Sequence, residues 1–315
     1  MYPSQSPREH GPEWDYPPAA GYDIGRLNSA LPKPPAYVPP PVPPAGSILE
    51  FNRPQHLLFR IPAEKPRLTL AILAVLVVIY IPMAISPDLY ERVIMQFGLY
   101  KPAILAGEWW RLLTATMLHW NNPLHIIFNG YALYVIGMDL ESFFGRRRFA
   151  AMYLVSALGG SVASFAFTLP VLVPEGALVY PFGFGASGAV FGLIGALGVF
   201  YGLNRSLFGR RGNLQFWNIV VVIVLNLGLG LSGIFPIDNS AHIGGLIAGA
   251  AVGFVLCPRY SMGEWINPLV RRVVDGNRGR LSWLAAGLIA ADVVMFFLVV
   301  FLMFKQGYTL PGLGR

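Results

Sequence analysis

The chain has 315 residues, 55% hydrophobic and 12% charged, with a mean hydropathy of +0.54. A soluble domain carries about 25% charged residues, so an ordinary soluble globular protein is excluded and an integral membrane protein is indicated. The net charge of +7 does not imply nucleic acid, because most Lys and Arg lie in loops between apolar segments; a single cysteine, Cys257, rules out an internal disulfide or a cysteine metal cluster.

Residues 1–66 are polar and proline-rich, with runs such as Pro39-Pro-Pro-Val-Pro-Pro44. Such a segment cannot bury enough apolar area to fold, and it reads as a disordered tail. Its acidic residues Glu9, Glu13, Asp15 and Asp23 argue against a mitochondrial transit peptide. Seven apolar segments come next, near 68–85, 123–141, 149–169, 185–203, 216–235, 240–257 and 282–304. Each approaches the roughly 17–25 residues needed to cross the hydrocarbon core. The expected architecture is an all-α polytopic bundle: a six-span core over 67–257, a basic linker over 258–281, a seventh span over 282–304 and a short tail over 305–315.

The arginines set the topology. Lys65 and Arg67 precede span 1, Arg146–Arg148 follow span 2, and Arg205, Arg210 and Arg211 follow span 4. Arg259, Arg271, Arg272, Arg278 and Arg280 follow span 6. All these regions fall on one side, which the positive-inside rule makes cytoplasmic. The amino tail is then inside and the carboxyl terminus outside.

Spans 4 and 6 consequently run from outside to inside. Ser187 and His242 stand in their first turns, at similar depth near the outer face. Polar groups at that depth are costly unless paired, so both are functional candidates. Span 4 carries Gly188, Gly192 and Ala196 at four-residue spacing; span 6 carries Ala241, Gly245, Gly249 and Gly253. Stripes of small residues let membrane helices approach closely. Facing stripes would bring the Ser187 hydroxyl within reach of the His242 imidazole, the arrangement of nucleophile and general base for acyl transfer. Asp238 lies in the outer loop and Asp139 near the cytoplasmic end of span 2, so a dyad is expected. Acyl transfer also needs oxyanion donors. His125 and Asn129 share one face of span 2, and the Ser187 N–H is free at its helix start.

These residues resemble the rhomboid intramembrane serine proteases. The matching elements are Glu108-Trp-Trp-Arg111, His125-xxx-Asn129 with Leu133, Gly137 and Glu141, Gly185-Ala-Ser-Gly188 with Phe191-Gly192, and Ala241-His-Ile-Gly-Gly245 with Gly249. The resemblance implies Ser187 as nucleophile and His242 as base, then acid. It implies His125, Asn129 and the Ser187 amide around the oxyanion, and Gly185 where the substrate backbone approaches. Trp110, Arg111 and Glu141 would be structural, and span 5 would move aside to admit substrate. One departure stands out: the family separates its two histidines here by four residues, whereas His119 and His125 are separated by five. The alignment at Asn129 gives the oxyanion role to His125 and leaves His119 no catalysis.

The expected activity is cleavage of peptide bonds in or near transmembrane segments of other membrane proteins, single-span ones above all, with no cofactor, metal or nucleic acid. The expected location is a bacterial inner membrane, with the site opening to the outer face. An inactive relative that binds or escorts membrane proteins is the alternative. Transport is disfavoured, because no acid sits mid-span in the first six helices and no inverted repeat is visible; Asp292 in span 7 is the exception.

Overall fold

A computed structural model describes residues 58–60, 65–174, 176–267, 270–277, 287, 290–292 and 294–301. All belong to one compact unit, His56–Arg315. The proline-rich tail before residue 58, the start of the seventh apolar segment and the terminal residues 302–315 lie outside the described residues.

The chain enters helix α1 (Arg67–Ile85), then α2 (Pro87–Phe97), capped by the Ser86 hydroxyl, which accepts from the Leu89 N–H at 3.3 Å. Two short helices, α3 (Lys101–Leu105) and α4 (Arg111–Thr114), and a 3₁₀ turn (Ala115–Met117) complete the segment that leads to the next long helix. Helix α5 (Pro123–Phe144) starts with an Asn122 cap and Pro123 at its first position. It ends at Gly145, whose φ of +81 lets the chain turn at once into α6 (Arg146–Phe167). Helices α7 (Ser187–Leu203), α8 (Arg205–Leu231) and α9 (Asn239–Leu256) complete the core. A hairpin of β2 (Val171–Leu172) and β3 (Leu178–Val179) precedes α7.

Among the described residues, four helices are long and apolar enough to cross a membrane: α1, α6, the Leu207–Leu231 part of α8, and α9. Helix α7 has 17 residues, and the apolar helix over Ala290–Phe301 is also shorter. The protein is a polytopic, all-α membrane protein with two small sheets.

Helices α6, α7 and α9 form the centre. Apolar burial there includes Phe149, Met152, Leu193, Phe200, Val252 and Leu256. Helix α8 lies outside: between Asn213 and Leu231 no residue is fully buried. The last helix packs on α6 and on the loop before α4: buried Phe296 meets Phe165 of α6 at 5.5 Å between ring centres, and Phe297 meets Trp109 of that loop at 5.2 Å.

The segment read as a basic linker carries structure. Strands β4 (Tyr260–Asn267) and β5 (Val270–Asp275) pair antiparallel, and β1 (Leu58–Arg60) joins β5 in parallel. Arg148 at the base of α6 is buried against this hairpin, donating to Asp275 at 2.7 Å and to the Asn277 carbonyl at 2.9 Å.

Buried charges elsewhere are matched to helix ends. Glu141, fully buried in α5, accepts from the Leu68 N–H (2.9 Å), the Thr69 N–H (2.7 Å) and the Thr69 hydroxyl (2.8 Å). It supplies the cap that Pro66 cannot give α1, and its negative charge suits a helix N-terminus. Lys101, buried at the start of α3, donates to the Ala166 and Thr168 carbonyls at the C-terminal end of α6. Loss of the Glu141 carboxylate strands two N–H groups. Glu141→Ala should therefore lower stability by about 3 kcal/mol, and Glu141→Gln by less. Unfolding in mixed detergent micelles measures both.

Candidate active site

Ser187 is the first residue of α7 and is half-buried. The loop before it is pinned to the segment between α2 and α5. Leu99 and Gly183 exchange two backbone hydrogen bonds of 2.8 Å, and the Gly185 N–H donates to the Ala115 carbonyl at 3.0 Å. Gly185 has φ +135, a conformation that side chains rarely adopt. A Cβ there would sit 3.1 Å from Cε1 and Nε2 of His125 and 3.7 Å from the Ser187 hydroxyl. One glycine Cα thus separates the imidazole edge from the serine, leaving open backbone where a side chain would intrude.

The two small-residue stripes face each other. A Cβ on Gly245 would lie 2.0 Å from the Gly188 carbonyl oxygen, and one on Gly249 2.0 Å from that of Gly192. One on Gly253 would meet the Cα of Ala196 at 2.6 Å. Helices α7 and α9 are therefore in backbone contact along three turns. Gly160 of α6 closes on the same point, its Cβ position lying 3.0 Å from the Ala241 carbonyl and 3.1 Å from the Gly188 Cα.

The placement of His242 is a result of this contact. It is buried, and its ring stacks on Phe191 with centres 4.0 Å apart and planes 13° apart. Phe191 lies four residues after Ser187, on the same face of α7, so it is a platform holding the imidazole beside the serine's side of the helix. In the sequence Phe191 stands out only as part of a motif; its four-residue spacing from Ser187 is the signal that points to this role. No hydrogen bond joins Ser187 to His242, and His242 Nδ1 has no partner among the described residues.

His125 and Asn129 lie on one face of α5, as expected. His125 Nδ1 accepts from the Trp120 N–H at 3.3 Å, which leaves the proton of the neutral ring on Nε2. That nitrogen faces Gly185, so the imidazole presents a donor towards the site. Asn129 is buried and its amide donates back to the His125 carbonyl at 3.0 Å, leaving a second N–H for another acceptor.

Two further residues take roles that the sequence pattern does not reveal. His119 sits edge-to-face on His125 at 5.2 Å and is buried. Burial first, then the neighbouring His125, push its pKa down from 6.5 to about 3. Asp238 is a cap: one carboxylate oxygen accepts from the Ala241 N–H at 3.0 Å, and the other accepts from the Ser164 hydroxyl. With Ser161, Ser164, Thr116, Gly185 and Ser187, Asp238 also lines a cavity of about 40 Å³ whose remaining walls are largely apolar. Among the described residues no group of three His, Cys, Asp or Glu side chains could hold a metal ion.

Two outcomes are expected. Gly249→Ala places a methyl against the Gly192 backbone and should cost about 1–3 kcal/mol and most activity. Gly228→Ala, which meets nothing within 4 Å, should be neutral or stabilising. Thermal unfolding of the two variants checks the contrast. His119 binds its proton more readily unfolded than folded, so its contribution to stability is complete above about 6.5 and is lost as the pH falls towards about 3. His119→Phe should flatten the dependence of Tm on pH across that window.

The family model described as Rhomboid domain matches residues 106–259, a stretch that contains all of these site residues. The chain is 38% identical over 187 residues to Rhomboid protease GluP of Bacillus subtilis, covering 59% of this chain and 34% of that protein. It is 39% identical over 171 residues to RHOMBOID-like protein 5 of Arabidopsis thaliana, covering 54% and 51% respectively. It thus spans about a third and a half of the lengths of these two relatives. With Rhomboid protease AarA of Providencia stuartii it shares 34% identity over 209 residues, covering 61% of this chain and 73% of that protein. A helical core drawn together by facing glycines, a serine at the mouth of one central helix and a histidine at the mouth of the next, and these extended matches place the chain in the rhomboid family.

Proposed function

We propose that the protein is an intramembrane serine endopeptidase that cleaves peptide bonds in or near transmembrane segments of other membrane proteins, single-span ones above all. The observation that carries this reading is the triangle at Gly185. Its missing side chain leaves a gap bordered by the Ser187 hydroxyl and the donor edge of His125, and a scissile carbonyl fits such a gap.

In this mechanism the Ser187 oxygen attacks the carbonyl carbon while His242 takes the hydroxyl proton. The carbonyl oxygen becomes an oxyanion and accepts from His125 Nε2–H, the spare Asn129 N–H and the Ser187 backbone N–H. Collapse breaks the C–N bond, and His242 returns its proton to the leaving amine. Water then attacks the acyl-enzyme with His242 again as base, releasing the carboxylate and regenerating Ser187. No cofactor enters any step. The relatives named rhomboid protease support the same activity.

The topology proposed with it has seven spans, the amino tail and the arginine-rich loops in the cytoplasm, and the site open to the outer face of a bacterial inner membrane. The domain divisions are those of the sequence: tail 1–66, core 67–257, linker segment 258–281, seventh span 282–304 and outer tail 305–315. Helix α8 is the proposed lateral gate, since it is the least buried of the membrane-length helices.

The test is labelling of the purified protein in liposomes with a fluorophosphonate, alongside cleavage of a reconstituted single-span substrate. Ser187→Ala and His242→Ala should each lose labelling and reduce cleavage by roughly 10³-fold or more while remaining folded. Cleavage that persists in Ser187→Ala removes the nucleophile assignment. A folded wild type that neither labels nor cleaves, yet retains membrane proteins on co-purification, establishes the binding or escort role instead.

A further inference from the structure

Helix α8 is attached unevenly along its length. Its inner half packs sideways on α7: Ile219 reaches within 3.5 Å of the Cβ position of Gly198, and Phe216 lies 3.9 Å from that of Gly202. The Arg205 guanidinium covers the Phe216 ring at 5.5 Å. Its outer half turns Val221, Val222, Val224, Leu225, Leu229 and Leu231 outward, all exposed.

The polar tie of this outer half comes from Asn239, in the first turn of α9 and three residues before His242. The Asn239 amide donates to the Leu227 carbonyl at 3.3 Å. Its side chain fills the groove at Gly230, where a Cβ would lie 2.1 Å from Asn239 Oδ1 and 2.7 Å from its Cγ. The fit is geometrically demanding and energetically shallow. Asn239 Oδ1 is buried against the glycine without a hydrogen-bond partner among the described residues, and the single bond made is a long one. Leu227 accepts this bond near the end of α8, so the closed state gains little that opening would lose.

We propose that Asn239, seated at Gly230, is the latch that holds the outer end of α8 against α9, and that its release admits a transmembrane substrate to Ser187. The proposal rests on the proteolytic reading and adds to it the residue that sets how often the gate opens. Asn239 is a positioning residue. It touches neither the reacting atoms nor the oxyanion donors, so it acts on substrate entry and leaves the reactivity of Ser187 unchanged.

The geometry supplies its own test. Asn239 Cγ lies 2.7 Å from the Gly230 Cβ position, so the two Cβ atoms are within about 4.2 Å, inside the range that a disulfide accepts. The native Cys257 is buried at the far end of α9 and does not interfere. Gly230→Cys with Asn239→Cys, reconstituted in liposomes, should form the cross-link on oxidation. Cleavage of a single-span substrate should then fall at least tenfold and recover on reduction, while fluorophosphonate labelling of Ser187 keeps its rate. Asn239→Ala should cleave that substrate several-fold faster than wild type, again with unchanged labelling. Equal cleavage by the oxidised and reduced pair overturns the latch, as does cleavage by Asn239→Ala that is unchanged or slower. Parallel loss of labelling and cleavage in the oxidised pair also overturns it, because the contact would then shape the site itself. A wild type without labelling or cleavage removes the proteolytic reading, and the latch with it; a labelled, active wild type whose cross-link has no effect removes the latch alone.

Discussion

Backbone contact between α7 and α9 is the constraint on which the rest depends. Gly245, Gly249 and Gly253 have no side chains at the crossing, and the spaces that their Cβ atoms would need are occupied by the main chain of α7 at Gly188, Gly192 and Ala196. In lipid there is little hydrophobic force between helices, so such close van der Waals approach carries the association. It also fixes chemistry. A histidine at the mouth of α9 can stack on Phe191 of α7 only where the helices run this close. A side chain at Gly245 or Gly249 would push α7 and α9 apart.

Around that centre the buried charges act as fasteners between segments distant in sequence. Glu141 ties α5 to the start of α1, Lys101 ties α3 to the end of α6, and Arg148 ties the start of α6 to the hairpin beyond α9. Each charge meets a helix end or an opposite charge. A lone charge in this environment would be expensive, whereas one matched to free N–H or C=O groups satisfies both partners. These ties hold α1, α5, α6 and α9 together, and among the described residues α8 has no equivalent. The unevenness is functional in the proposed mechanism, because a gate must be the weakest-held element.

Much of this is legible in the amino-acid sequence. The four-residue glycine spacing on two apolar segments, with Ser187 and His242 at matched depth, contains the α7–α9 contact, because helix periodicity converts spacing into a face. Boundaries of the helices fall close to their caps, at Asn122, Gly145 and Asp238. Other features leave no local trace. The pairing of β4 and β5 hides in a segment rich in arginine, where strand formation depends on a partner brought in by other elements. The tautomer of His125 depends on a backbone N–H at Trp120, whose direction is set by the loop path. The extra residue between His119 and His125 reads from sequence as a displacement of His119, yet the loop absorbs it and the two rings still touch. Asp238 reads as a loop residue remote from chemistry, and its two acceptor bonds are tertiary.

The small sheet beneath the bundle has an implication for synthesis. Leu58 pairs with Val270, so strand β1 waits for a partner made roughly 200 residues later. During translation every helix of the core must be inserted before that parallel ladder can close. The ladder is therefore a late seal, joining the strand ahead of α1 to the hairpin beyond α9. A ribosome that stalls before residue 270 releases a chain whose β1 has nothing to pair with. Its unpaired backbone marks an unfinished molecule, available to whatever surveys the membrane for incomplete products.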